Sequence, residues 1–335
     1  MPEIIEIDIN ILRQITTFLL EKRIVFHPVI SPNGVPDFSL YQGRKYNLIL
    51  YRNILTKLIK FVTDGELKDP HFRQIISSLM FWVNINNIGI VSSFALMEYS
   101  YSKQSRQEAN IENKIFLEIF DYYHPNIWMN VAIEKEKNIP KLNSKNNCDE
   151  DFFIEADHFK MHYLEMLKLA QLYFTKELSP IKKLDTFAKW VIDNLLICRY
   201  TTFYATYLLF GKSKIFNNPN ETDFDSINLK CINQAWDLTY LSEWSTLHYY
   251  EDNADTIYLF ATADKELKQI FIKSHNESFD TYFDIYGEEI TKQIFEKLNP
   301  IYKERKMPKL DMNVIDKSIM QEKKLLKVKL INYGL

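Results

Sequence analysis

YNLILYRNILTKLIKFV, residues 46–62, decides the fold class. Its opening, Tyr46 to Tyr51, is an apolar run of strand length. Its continuation puts Ile54, Leu55, Leu58, Ile59 and Val62 on one face of a helix. A buried strand that runs straight into an amphipathic helix is the start of an α/β layer, because each element needs the other to cover its apolar side. IGIVSS (88–93) repeats the pattern, with FALMEYSYSK (94–103) as the helix and Ser92 or Ser93 as its N-cap. TIYLFAT (256–262) is a third strand, followed by the helix DKELKQIFIK (264–273).

Around these pieces the pattern is helical. Ile4, Ile5, Ile9, Leu12, Ile15, Leu19 and Leu20 recur at helical spacing within residues 4–22, and residues 71–84 read as another helix. SPNGVPD (31–37) is a turn-rich loop. From position 110 to 216 the chain reads as long aromatic-rich helices, with the polar loop KLNSKNNCDED (141–151) between two of them. NNPNETDFDS (217–226) is a further loop, and residues 227–248 form a helix. The stretch 280–335 is charged and helical, with LLKVKLI (325–331) as an edge strand. The expected fold class is therefore α/β, with a discontinuous α/β domain at 1–105 and 227–280. An all-helical insertion at 106–226 interrupts it, too long for a plain loop and so a subdomain with its own core. Residues 281–335 form a C-terminal extension.

Composition narrows the function classes. Of 335 residues, 46% are hydrophobic and 14% aromatic, which excludes disorder and supports a packed core. The net charge of −3 gives the whole chain no basic field, so a polyanion site must be a local patch. Only 7 Gly occur, which argues against a glycine-built nucleotide loop. Cys148, Cys198 and Cys231 are far apart, which excludes a disulfide framework and a cysteine zinc site. No apolar stretch has the length of a membrane span, and Glu3, Glu6 and Asp8 stand where a signal peptide needs basic residues. The expectation is a cytoplasmic protein that does not enter the membrane.

Three acids occupy comparable places. Glu98 is in the first turns of the helix after IGIVSS, Asp237 is inside the helix INQAWDLTYL, and Asp264 directly follows TIYLFAT. Ligands of open α/β sheets collect where strands end and helices begin. Acids gathered there repel unless a cation lies between them, and hard divalent ions take carboxylate oxygens. Any one of these acids alone is ordinarily a helix cap or a solvated charge; their joint placement points to a cation site.

The order NLILYRNILTKLI (47–59), SSFALMEYS (92–100), NQAWDLTYLS (233–242) and YLFATADKELK (258–268) resembles the PIN-domain nucleases, in four separated pieces. The resemblance implies a three-layer α/β/α fold with a mainly parallel central sheet, and hydrolysis of RNA or DNA phosphodiesters with Mg²⁺ or Mn²⁺. It implies that Glu98, Asp237 and Asp264 are the metal ligands and catalytic residues, and that Asn53 supports the corner of the first strand. Arg52 would contact a substrate phosphate bidentately or serve as a structural ion-pair partner. One departure stands out: where the family has its first-strand Asp, this chain has Tyr51, and a phenol is a poor metal ligand. The reading adopted from the sequence is an endonuclease acting on RNA, weakened by the loss or using a shifted ligand such as Asp37. The alternative is an inactive binding or regulatory protein whose helical insertion is the interface for a protein partner.

Other constellations are weaker. His158 and His162 stand at i, i+4, but the Glu of a zinc-protease helix is missing and the surroundings are apolar. GKS within FGKSK (210–214) lacks the preceding strand and glycines of a phosphate loop. Arg23 and His27 have the wrong spacing for an Arg–His ribonuclease pair. Trp190, Tyr200, Phe203, Tyr204, Tyr207 and Phe210 read as core of the insertion, and YKERKMPK (302–309) and QEKKLLKVK (321–329) as solvated basic surface with a capacity to touch nucleic acid.

Overall fold

The computed structural model describes residues 7–34, 37–41, 43–144, 157–218, 220–250, 255–275, 279–303 and 310–332. Cys148, most of the 141–151 loop, Ile4 and Ile5, and residues 304–309 of the basic segment lie outside the described residues. The chain is a helix-rich α/β protein that divides into two compact units. One comprises residues 1–155 and 246–268, the other 156–245 and 269–335.

The first unit opens with α1 (Ile9–Lys22) and β1 (Val25–Phe26), then β2 (Lys45–Leu50) and α2 (Arg52–Asp64). It continues with α3 (Pro70–Ile85), β3 (Gly89–Val91), α4 (Ser93–Lys103), α5 (Arg106–Tyr122) and α6 (Pro125–Ala132). The second unit starts with α7 (Asp157–Tyr173), α8 (Pro180–Asn194) and α9 (Arg199–Leu209), and takes in most of α10 (Phe224–Tyr249). The chain then returns to the first unit for β4 (Thr256–Ala261) and the start of α11 (Lys265–His275). It ends in the second unit with α12 (Phe279–Tyr286), α13 (Glu288–Lys303) and α14 (Met312–Asn332).

The sheet order is β1-β4-β2-β3. β2 is parallel to both neighbours, pairing Leu48 with Ile90 on one side and with Leu259 on the other, while the edge strand β1 runs antiparallel to β4. The central place of β2 explains its unbroken apolar run: Leu48, Ile49 and Leu50 are fully buried, so neither side of the strand can be polar. α2 then buries Ile54, Leu55, Leu58, Ile59, Phe61 and Val62. Each such side chain contributes about 1.5–3 kcal/mol of transfer free energy, so this one strand–helix segment anchors the core of the unit. α2 stops at Gly65, whose φ of 73° lets its N–H reach the Phe61 carbonyl.

The unit boundaries run differently from the spans expected of the sequence. Residues 106–144 cluster with the sheet because α6 packs on α3 and Trp128 is fully buried against Phe61 and Tyr123. Residues 227–245 cluster with the helices, where Trp236 stacks on Phe159 and the Tyr163 hydroxyl donates to Asn228. β1 was not foreseen: two residues are too short to show a pattern. LLKVKLI is not an edge strand; it lies within α14, where Glu322, Leu326 and Leu330 recur every fourth residue on the buried face. That spacing, imposed by packing on α7, overrides the local alternation.

Candidate site at the carboxyl edge of the sheet

Because β3 and β4 both run parallel to β2 on opposite flanks, the carboxyl ends of the three strands open on one edge. The chain leaves β2 toward β3 and later returns on the other flank, so strand order reverses beside β2, the place where open sheets bind ligands. Tyr51, Arg52 and Asn53 begin α2 there; Ser92 and Ser93 begin α4; Thr262 and Asp264 lead into α11.

Tyr51 is extended, at φ −71° and ψ 150°, and stands at the N-cap of α2, where its side chain makes no capping bond to the helix. Its N–H donates to the Ala261 carbonyl at 2.9 Å, tying the end of β2 to the end of β4. Its ring meets Phe260 edge-on, with centroids 6.2 Å apart. Tyr51 is thus an aromatic contact at the corner of the central strand.

Arg52 is occupied. Its two terminal nitrogens donate to the two oxygens of Glu112 on α5, and its guanidinium lies 4.0 Å from the centre of the Tyr99 ring. Both ends of the ion pair are largely shielded, at 13 and 14% side-chain exposure. Burial first, then the Glu112 and Glu108 carboxylates, hold the Tyr99 phenol above its ordinary range, and Arg52 opposes them. Asn53 is half-buried, and its Oδ1 is a buried acceptor without a hydrogen-bond donor.

Asp264 is the N-cap of α11. Its Oδ1 accepts from the Leu267 N–H at 2.8 Å, and its own N–H donates to Thr262 Oγ1 at 3.0 Å. One turn on, the Lys268 amine donates to the Lys22 carbonyl at the end of α1. Burial lowers the Lys268 pKa to about 8, against the pull of Asp264. Glu98 is half-buried on α4 and is engaged with a neighbour. Asp237, near the middle of α10, is likewise half-buried and engaged, and belongs to the second unit. Glu98 and Asp264 therefore share the sheet-bearing unit, and Asp237 does not. Among the described residues no three His, Cys, Asp or Glu side chains form a group able to hold a metal ion. Asp37 is exposed and spent on Ser39, whose hydroxyl and N–H both donate to it and hold its carboxyl below the usual range.

The remaining sequence candidates are structural. His158 sits 3.2 Å from Glu243, and His162 is fully buried with its Nδ1 2.7 Å from Glu165. Thr201 on α9 closes that cluster, its hydroxyl donating to Glu165 at 2.9 Å. Burial, and then the nearby Glu165, push the Cys198 thiol up, away from the thiolate a nucleophile needs. Gly211 of the GKS stretch ends α9 with a φ of 74°, and no strand precedes it. His27 is buried, its Nδ1 accepting from the Val29 and Ile30 N–H groups. Tyr200, Phe203 and Tyr204 are core.

Glu112, Tyr99 and Lys268 were not singled out by sequence. No spacing rule links Glu112 to Arg52, and Lys268 differs from other lysines only through its surroundings. Among the described residues no helix is long and apolar enough to cross a membrane. No family model, no curated protein and no solved structure matches the chain.

Proposed function

We propose that this chain is a binding or regulatory protein built on a PIN-like α/β/α layer, whose working edge has lost the carboxylate needed for hydrolysis. One observation carries the reading. At the end of the central strand, Tyr51 packs its ring on Phe260 where a metal-binding Asp would stand in a PIN-like nuclease. The rest of the edge agrees with it: Arg52 is committed to Glu112, and Asp264 to the cap of α11. Among the described residues no three His, Cys, Asp or Glu side chains gather to hold Mg²⁺ or Mn²⁺.

A second reading, endonucleolytic cleavage of RNA with Mg²⁺ or Mn²⁺ held by Glu98, Asp237 and Asp264, has its own support in the strand order. Glu98 and Asp264 follow the two strands that flank β2, as that mechanism requires. Incubating the full chain with single-stranded RNA and Mn²⁺ separates the two. Intact RNA, together with a melting temperature that Mn²⁺ leaves unchanged, is the result expected. Metal-dependent cleavage that Asp264→Asn and Glu98→Gln both abolish would overturn the proposal and establish the nuclease.

A further inference from the structure

α14 has two apolar faces. Ile315, Leu326 and Leu330 are buried on the side that packs against α7. On the opposite side Val314, Met320, Leu325, Val328 and Ile331 are 45 to 66% exposed. An apolar row of this length on a solvated helix is a mark of an interaction site rather than of scattered surface residues. At about 100° per residue, Lys317 and Lys324 fall inside the row, between Met320 and Ile331 on one side and Val314 and Leu325 on the other. Both lysines are exposed.

The field of this face is one-signed. α14 has five lysines against Asp316 and Glu322. Asp316 is bound by Lys160 at 3.1 Å, and Glu322 is buried, accepting from Gln171 at 2.6 Å with Lys168 beside it. Neither acid neutralises Lys317 or Lys324.

We infer that the exposed face of α14 docks an acidic amphipathic helix of a partner protein. Its carboxylates meet Lys317 and Lys324, and its aliphatic side chains cover Val314, Leu325 and Val328. The placement of the lysines decides between occupants. An anionic membrane takes up a helix whose cations all flank the apolar face; here Lys323, Lys327 and Lys329 lie outside the row, but Lys317 and Lys324 sit in its middle, where insertion would bury them. Two copies meeting through this same face would set like charges against each other. A helix with acids in its seam satisfies both the charge and the apolar area, and a charged seam position also fixes register and partner choice. This inference is independent of the reading of the sheet-bearing unit.

The test uses the full chain and a fluorescein-labelled helical peptide of about three heptads, apolar on one face with a Glu in that face at every heptad. A second peptide carries Lys in place of each Glu, and vesicles of phosphatidylserine and phosphatidylcholine are assayed alongside. The acidic peptide is expected to bind saturably, more weakly as salt is raised, and the Lys peptide and the vesicles not to bind. Lys317→Glu with Lys324→Glu should weaken the acidic peptide at least tenfold and create binding of the Lys peptide. Val328→Ser with Leu325→Ser should weaken it with no change in salt dependence. All four positions are exposed, so circular dichroism and the melting temperature should stay as in the parent chain. Absence of acidic-peptide binding, equal binding of both peptides, binding of vesicles in place of the peptide, or self-association lost on Lys317→Glu would each overturn the assignment.

Discussion

The Arg52 guanidinium holds both oxygens of Glu112, at 2.5 and 2.9 Å, across sixty positions of sequence. The pair joins the first turn of α2 to α5 and places a cation against the Tyr99 ring at the carboxyl edge of the sheet. A paired Arg in this geometry is a structural element first, and its charge is not open to a phosphate.

Removing its partner should be costly. Glu112→Gln leaves a shielded guanidinium with a neutral acceptor, and about 2 kcal/mol of stability should be lost in urea unfolding. Arg52→Lys should recover only part of the parent stability, because an ammonium cannot make the two-pronged contact. A double-mutant cycle giving additive effects would show that the pair contributes nothing.

Tyr51→Asp tests the strand corner. Loss of the edge-on contact with Phe260 should lower stability by about 1 kcal/mol. The new carboxylate should make the melting temperature respond to Mn²⁺, which the parent chain should not. Equal responses in both proteins would count against any link between Tyr51 and metal affinity.

Lys268 predicts a pH dependence. Its pKa is lowered to about 8 by burial, below the ordinary lysine value of the unfolded chain, so between those limits the folded state binds fewer protons. Its contribution to stability therefore rises as pH climbs from about 8 toward 10.5, and below that window the charged amine is penalised. Lys268→Met should flatten this part of the stability profile, read by urea unfolding at fixed pH steps; an unchanged slope would assign the effect elsewhere.

Gly65→Ala should destabilise the protein by about 2 kcal/mol, because a Cβ is strained at positive φ. It would also come within 2.9 Å of the Ile139 carbonyl, a backbone atom that cannot swing aside. Gly43→Ala shares the positive φ but has open space around it, so its smaller loss in thermal unfolding isolates the steric part.

In the second unit, Thr201→Val keeps the shape of a buried residue and deletes its hydrogen bond to Glu165. A loss of about 1–3 kcal/mol is expected, since a buried carboxylate is left short of a donor, and Thr201→Ser should restore most of it. Equal stability of the Val and Ser variants would show that the hydroxyl is dispensable.

Local pattern was enough to place three of the four strands of the sheet. Tyr46–Tyr51, IGIVSS and TIYLFAT each lie on or around one of the strands β2, β3 and β4, and each is followed directly by a helix whose own period is visible. The acids Glu98 and Asp264 were equally legible, because a residue's distance along the chain from a strand end is a property of sequence. Their roles were not: Asp264 became a helix cap through one hydrogen bond to Leu267. LLKVKLI shows the same limit from the other side, since its alternation fits a strand and its packing on α7 makes it a helix.

What the amino-acid order determined by itself is the set of strand–helix pairs, the apolar run of the central strand and the absence of a carboxylate at Tyr51. Those depend on neighbours within a few residues, whose burial and spacing are written in the chain. The tertiary structure alone decided that β1 completes the sheet, that α5 and α6 join it while most of α10 does not, and that Arg52 is held by Glu112. It also decided that α14 exposes a second apolar face. Such outcomes rest on contacts between distant segments, whose free energy depends on which surfaces meet, and no local period encodes that meeting.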